Sequence, residues 1–374
     1  RRVFTVLGDL DRSGPMYQAL SGIEASALGS ALDSLSGEIP SSLRTSLFLV
    51  DRSFSKRLSS HISHASFSRR PILIDESTYM DPGDYDRFAT SSGNYYGTTY
   101  GIWAGLGASY AEVDANGGAA KSTLEGPEVA GGIDFLLGNG TIAGMAIQYS
   151  YKDMEVDDRD SDADIHSYTI ALYAGRELSV ADNVLRLIMG GLYSYHDIST
   201  TRQVRVSSVR EDLEADYKAS SFRLYAEGAY SMVIAEKFMA EPFINIGWNW
   251  LRTDRFSEDG GQSALKGGSK PSDIFSSLLG LRFDLPLFDL VHLNASVGWE
   301  HIYGSLEPSH RLGFRHGGDS FSIKGNSLSR DELSIGVGAA LKLDEDLTIK
   351  VNYDGGIGSD SEMHGGSAAL IYRW

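Results

Sequence analysis

The chain has 374 residues and a formal net charge of −17, an acidity that excludes a nucleic-acid binder, which needs a basic face for phosphates. It has no cysteine, which removes a disulfide framework and thiolate zinc sites and suits a chain that crosses an oxidising compartment uncrosslinked. The 42 glycines and 19 tyrosines against 9 prolines favour one large β-architecture over two or three soluble domains, and no run of about 18 apolar residues offers a transmembrane helix.

The sequence opens Arg1-Arg2-Val3-Phe4, with neither an initiator Met nor an apolar signal segment. Residues 1–25 are expected to be a junction to an upstream region of a longer precursor. Residues 26–66 have a different texture. Ala31, Leu32, Leu35, Ile39, Leu43, Leu47, Val50, Phe54, Leu58 and Ile62 recur every three to four positions, which predicts an amphipathic helix kinked at Pro40. Arg44, Asp51, Arg52, Lys56 and Arg57 occupy its polar positions. Such a helix exceeds the roughly 20 residues needed to cross a hydrocarbon core. It could pack on a soluble domain, or thread a barrel whose inward charges pair with its polar face. Residues 67–97, with their Pro, Ser and Asp, read as a connector.

From residue 98 the chain breaks into about twelve segments that alternate with a period of two. In the first, Ile102, Ala104, Leu106, Ala108 and Tyr110 share a face; in the last, Ala368, Leu370, Tyr372 and Trp374 do. The opposite faces carry Asp134, Arg186, Arg223, Glu227, Glu241, Arg282, Glu300, Lys342, Lys350 and Arg373. A soluble sandwich would show the same alternation, but the connections separate the two. Short links at Gly138-Asn139-Gly140, Ser179 to Asp182, Ala235-Glu236, Pro286 to Asp289 and Asp344-Glu345 alternate with long ones, among them Lys152 to Asp164, Ile198 to Asp216, Thr253 to Pro271 and Ser305 to Arg330. That is the rhythm of an outer-membrane barrel, with short periplasmic turns and long extracellular loops. Aromatic residues fall where its two girdles belong: Tyr110, Tyr151, Tyr195, Trp250, Tyr303 and Tyr353 at one rim, and Phe135, Tyr230, Phe283 and Trp374 at the other. The expected fold is an all-β membrane barrel of about 12 antiparallel strands, residues 98–374, with the helix in its lumen.

The final run Ser367 to Trp374 resembles the C-terminal assembly signal of outer-membrane proteins, through Ser367, the small Ala369 where Gly is usual, and the alternating aromatics Tyr372 and Trp374. More widely, ALDSLSGEIPSSLRTSLFLVDRSFSKRL, VDDRDSDADIHSYTIALYAG, LEADYKASSFRLYAEGAY, EPFINIGWNWL and YDGGIGSDSEMHGGSAALIYRW resemble the translocator β-domains of monomeric (type Va) autotransporters, with their linker helix. The resemblance implies export and surface display of an upstream passenger by type V secretion, with residues 1–25 as the passenger end. It implies a monomer in the outer membrane of a Gram-negative bacterium, in contact with lipid, lipopolysaccharide and the barrel-assembly machinery. No cofactor and no enzymatic activity are implied.

Two other readings are a small-solute outer-membrane channel and a lipase- or esterase-like barrel. The latter needs Ser and His together near the outer girdle, and His196, His301 and His310 carry no nucleophile signature, so they read as exposed loop residues. The acidic run Asp153 to Asp164 lacks the central Gly and terminal Glu of an EF-hand loop and reads as a solvated loop. Residues 26–66 contain no Asn, so self-cleavage at an Asn in the lumen is not expected.

Overall fold

The computed structural model describes residues 20–24, 26–67, 99–137, 141–180, 183–235, 238–287, 290–317, 319–344 and 346–374. Most of the expected junction, the connector 67–97 beyond its first residue, and the centres of the short turns (138–140, 181–182, 236–237, 288–289 and 345) lie outside the described residues.

Among the described residues, sixteen strands follow two helices, α1 (Leu28–Ser34) and α2 (Ile39–Phe67). They are β1 (Thr99–Val113), β2 (Ser122–Leu137), β3 (Thr141–Val156), β4 (Ser161–Val180), β5 (Asn183–Val206), β6 (Val209–Ala235), β7 (Phe238–Thr253), β8 (Phe256–Ser257), β9 (Leu265–Gly267), β10 (Lys270–Leu287), β11 (Val291–Tyr303), β12 (Ser309–Phe314), β13 (Phe321–Lys324), β14 (Asp331–Lys342), β15 (Leu347–Gly358) and β16 (Ser361–Arg373). Twelve close into an antiparallel barrel in chain order, and β8, β9, β12 and β13 form a separate four-stranded sheet.

The barrel is inverted relative to a soluble protein. Leu106, Ile147, Leu172 and Met189 are 61–68% exposed on the outside, whereas Asp134 and Arg186 inside are 1% exposed. An apolar exterior with a charged interior is the solution for a sheet in lipid, where closure also leaves no unpaired edge. Closure runs through β1 and β16: Tyr100 and Trp374 exchange both backbone N–H···O bonds at 3.0 Å, and Trp374 stacks on Tyr100 and Tyr372. Ala369 faces Gly105 across this seam. A Cβ on Gly105 would lie 2.8 Å from the Ala368 carbonyl oxygen, so the missing side chain is on β1 and the Ala369 departure from Gly is accommodated.

Glycines also seat the inward aromatics. Tyr173 lies directly across from Gly144, Tyr225 from Gly190 and Phe243 from Gly280. A Cβ on any of the three glycines would fall 2.4–2.5 Å from the facing ring. Each ring thus covers bare backbone of its neighbour strand, which stiffens the wall and fills the lumen edge.

Two expectations are corrected. The helical segment is two helices, not one kinked at Pro40. It breaks at Gly37, which has φ +63°, while Pro40 sits in the first turn of α2, where its missing N–H costs nothing. Gly37 followed by Pro40 is the stop-then-start signal that the apolar periodicity obscured. The long connections, meanwhile, are largely strand. β5 and β6 run on to a two-residue turn between Val206 and Val209, with Ser207 at φ 55° as such a turn requires. Residues 253–271 and 305–330 contribute the small sheet. The reason is an inversion of phase: above the girdle Ile198, Val204, Val206, Leu213, Ala215 and Tyr217 are buried inward and the polar residues face out. A search for apolar exteriors therefore stops at the membrane edge.

Candidate functional site

The site is the lumen and what fills it. α2 has 29 residues, about 44 Å at 1.5 Å per residue. No described helix is long and apolar enough to cross a membrane by itself; α2 crosses inside the barrel. Its first turns meet the ends of the strands that carry the long connections, and Ile62 reaches Gly175 and Ile142 near the short-turn end. Apolar residues form two buried clusters along it, Leu43, Leu47 and Phe48 in the upper and Phe54, Leu58 and Ile62 in the lower.

Its polar positions find the barrel wall. Arg52 Nη1 lies 2.8 Å from Glu332 and 3.6 Å from Glu300, and Lys56 Nζ lies 2.6 Å from Glu300. Arg57 pairs with Glu128 and donates to Gln148 at 2.9 Å. Ser194 donates to Asp51 at 2.7 Å, and Arg223 donates to Ser55 at 2.8 Å. Arg44 donates to the Lys270 carbonyl at 3.1 Å. His61 Nε2 is 2.8 Å from Asp134, whose other oxygen accepts from Tyr173 at 2.5 Å. In a medium of low effective dielectric, each of these charges would be costly without its partner.

The remaining predicted wall charges divide. Arg186, Glu241, Arg282 and Glu227 pair with one another rather than with the helix: Arg186–Glu241 at 2.6 Å, Arg282–Glu227 at 3.0 Å and an Arg282–Glu241 contact. Lys350 is buried, and neither it nor Arg373 forms an ion pair among the described residues. Lys342 ends β14 and is exposed at the rim rather than enclosed. Leu32 and Leu35 belong to α1 and its cap, above the lumen, where they join the core under the small sheet. The expectation that all these residues line or fill the lumen is corrected for those three.

Two histidines expected in exposed loops are buried. His196 is held between Ser167 (2.8 Å) and Ser221 (3.0 Å) in the lumen wall. His310, on β12, bonds the Gly268 carbonyl at 2.8 Å, and burial, helped by the nearby Arg44 and Lys270 charges, pushes its pKa down to about 4. His301 pairs with Asp331 at 2.7 Å. Sequence reading missed Glu128, Glu332 and His61. The first two were legible: Val129 and Leu333 face out, so their neighbours face in.

The helix leaves little open space. Cavities of about 70 and 60 Å³ flank it, one lined by Lys56, Ser59, Glu227 and Arg282, the other by Arg57, His61 and Lys350. Each has room for a few waters.

A closed barrel with an apolar exterior, whose lumen is filled by the segment preceding its first strand, is an outer-membrane pore occupied by its own upstream chain. Residues 102–354 match the autotransporter beta-domain family, and the chain belongs to that family. It is 27% identical over 310 residues to an extracellular serine protease of Serratia marcescens, covering 80% of this chain and 29% of that protein; the chain spans less than a third of that relative. Among solved structures it resembles the translocator domain of the autotransporter NalP from Neisseria meningitidis, with a TM-score of 0.56 at 19% identity, covering 78% of this chain and 94% of that one. The transport unit of AIDA-I from Escherichia coli aligns with a TM-score of 0.51 at 13% identity, over 82% and 97% of the two chains. The chain is the β-domain of an autotransporter, a barrel of the outer membrane.

Proposed function

We propose that residues 26–66 are the linker left in the pore when the passenger has been delivered to the cell surface. Residues 1–25 are then the passenger's end, 67–97 the connector to the first strand, and 98–374 the barrel. The observation that carries this reading is the direction of α2. Its first turns lie at the mouth with the long connections and its last turns at the mouth where β1 begins, so whatever precedes Leu28 emerges outside. In this reading the lumen residues are Arg44, Asp51, Arg52, Ser55, Lys56, Arg57 and His61 of the helix, with Lys270, Ser194, Glu332, Arg223, Glu300, Glu128 and Asp134 as their respective partners in the wall.

The chain acts as a monomer, in contact with outer-membrane lipid and lipopolysaccharide, and is inserted by the barrel-assembly machinery through its C-terminal signal Ser367, Ala369, Tyr372 and Trp374. It needs no cofactor and catalyses no reaction. The few-water cavities beside α2 speak against a small-solute channel, and the enclosure of His196 within the wall speaks against a lipase facing the membrane.

An epitope placed upstream of Arg1 tests the reading. Intact cells should bind the antibody and lose the epitope to added protease. An epitope detectable only after the outer membrane is broken would refute it.

A further inference from the structure

The four strands over the outer mouth have two, three, six and four residues in β8, β9, β12 and β13, too few for a free-standing sheet. Their inner face, Phe256, Leu265, Leu312, Phe314 and Phe321, is buried in one cluster with Leu35, Ile39 and Leu43 of the linker. The linker also bonds their backbone. Ser41 Oγ donates to the Ile323 carbonyl at 3.2 Å and Thr45 Oγ1 to the Asn326 carbonyl at 3.1 Å, while the Asn326 N–H donates to Ser42 Oγ at 3.3 Å. Gly325 makes this approach possible, since a Cβ there would lie 2.5 Å from the Ser42 nitrogen. Asn326, fully buried, then ties the assembly to the β1–β2 hairpin by donating to the Val113 and Ala120 carbonyls and Ser122 Oγ.

We propose that residues 254–269 and 304–330 are a latch that folds over the extracellular mouth only when the linker has arrived in the lumen, and that its closure ends export and prevents the delivered chain from sliding back. The proposal rests on the translocator reading. While upstream chain is still moving through the pore, Leu35, Ile39, Leu43, Ser41, Ser42 and Thr45 are not at the mouth. The sheet then loses the linker's share of its apolar core and the linker's bonds to its backbone. Each half keeps its own ties to the wall, such as Asp259 to Glu214 of β6 and Asn326 to the β1–β2 hairpin, and the two halves have less reason to pair across the mouth. Once the linker is seated, the β9–β12 pairing bridges those connections across the mouth.

The absence of cysteine gives a clean test. Lys266 and Gly313 face each other in register, and the nearest atom to a Cβ on Gly313 is 3.8 Å away. Facing residues of an antiparallel pair lie at Cα separations of about 4.5–5.5 Å, within the disulfide range. In cells carrying K266C and G313C, the pair should be oxidised in chains whose passenger has surfaced. It should stay open to maleimide in chains stalled by a passenger too tightly folded to pass. Equal oxidation in stalled and completed chains would overturn the latch.

The purified full chain supplies a second readout. G325V pushes β13 off the first turn of α2 without touching the lumenal ion pairs. Trypsin should then cut at Lys266, Arg311 and Arg315 faster by about tenfold or more, because cleavage follows the open population, while the barrel stays heat-modifiable. Unchanged cutting rates with an intact barrel, or loss of the barrel itself on a change confined to the mouth, would overturn it. If no passenger surfaces even from the parent chain, the translocator reading fails, and the trypsin comparison still decides the latch.

Discussion

Arg52 on α2 and Glu332 on β14 are 280 residues apart in sequence and 2.8 Å apart in space, both 2% exposed. A buried pair of this kind repays its desolvation only through good geometry and adds little stability against an apolar replacement. What it does fix is how far α2 descends and which way it is rotated, since a one-residue turn of the helix would swing Arg52 by about 100° away from β14.

Removing one partner should therefore hurt more than removing both. R52M leaves Glu332 facing an apolar side chain and is expected to cost about 3–5 kcal/mol, whereas R52M with E332L should recover most of that loss. Denaturant unfolding of the detergent-solubilised chain measures both. Equal losses in the single and double variants would mean that the pair does not act as a unit.

Deleting Trp374 removes its ring from Tyr100 and Tyr372 and the last hydrogen bonds of the β1–β16 seam. Synthesis should be normal and the amount of heat-modifiable barrel in the membrane should fall. The same amount of folded barrel would reduce Trp374 to incidental packing.

His310 predicts an acid-sensitive mouth. Its pKa is depressed from 6.5 to about 4 in the folded cap, so the unfolded cap takes up a proton first as pH falls. The stability that His310 contributes is complete above pH 6.5 and is lost progressively toward about pH 4, amounting to about 3 kcal/mol. Trypsin accessibility of residues 304–330 should rise over that window in the parent and much less in H310Q. A parent chain insensitive to pH 4.5, where its barrel remains folded, would contradict this.

Glycine positions should divide by what faces them. G144A would place a Cβ 2.4 Å from the Tyr173 ring and displace the phenol that bonds Asp134 and accepts from Trp103. A loss of about 1–3 kcal/mol is expected for such overpacking. G366A meets nothing within 4 Å and should be nearly silent. Thermal shift of the two purified barrels compares them, and similar shifts would argue against the ring-over-glycine account.

Much of this molecule could be read from alternation alone. In lipid the apolar side must face out, so Leu106, Ile147 and Leu172 declare one face, and Asp134, Arg186 and Glu300 follow on the other. The same phase logic applied to Val129 and Leu333 would have yielded Glu128 and Glu332. The partner of each charge was not legible. Glu300 meets the helix while Glu241 meets Arg186 and Arg282, because the pairing depends on how α2 is rotated, which no local pattern encodes. The mouth was hidden for a different reason. Above the girdle Val204 and Leu213 point inward as in a soluble sheet, and β8, β9, β12 and β13 share their core with Leu35, Ile39 and Leu43, more than 200 residues upstream.

The claim that α2 is the plug is tested most directly by conductance. Wall charges such as Glu300, Glu128 and Glu332 lose their helix partners when residues 27–62 are deleted, and the space that α2 occupied must fill with water. In planar bilayers the intact chain should conduct weakly and the deleted chain should form a folded barrel with markedly larger single-channel conductance. Equal conductance from two folded barrels would place the helix outside the lumen and contradict the account.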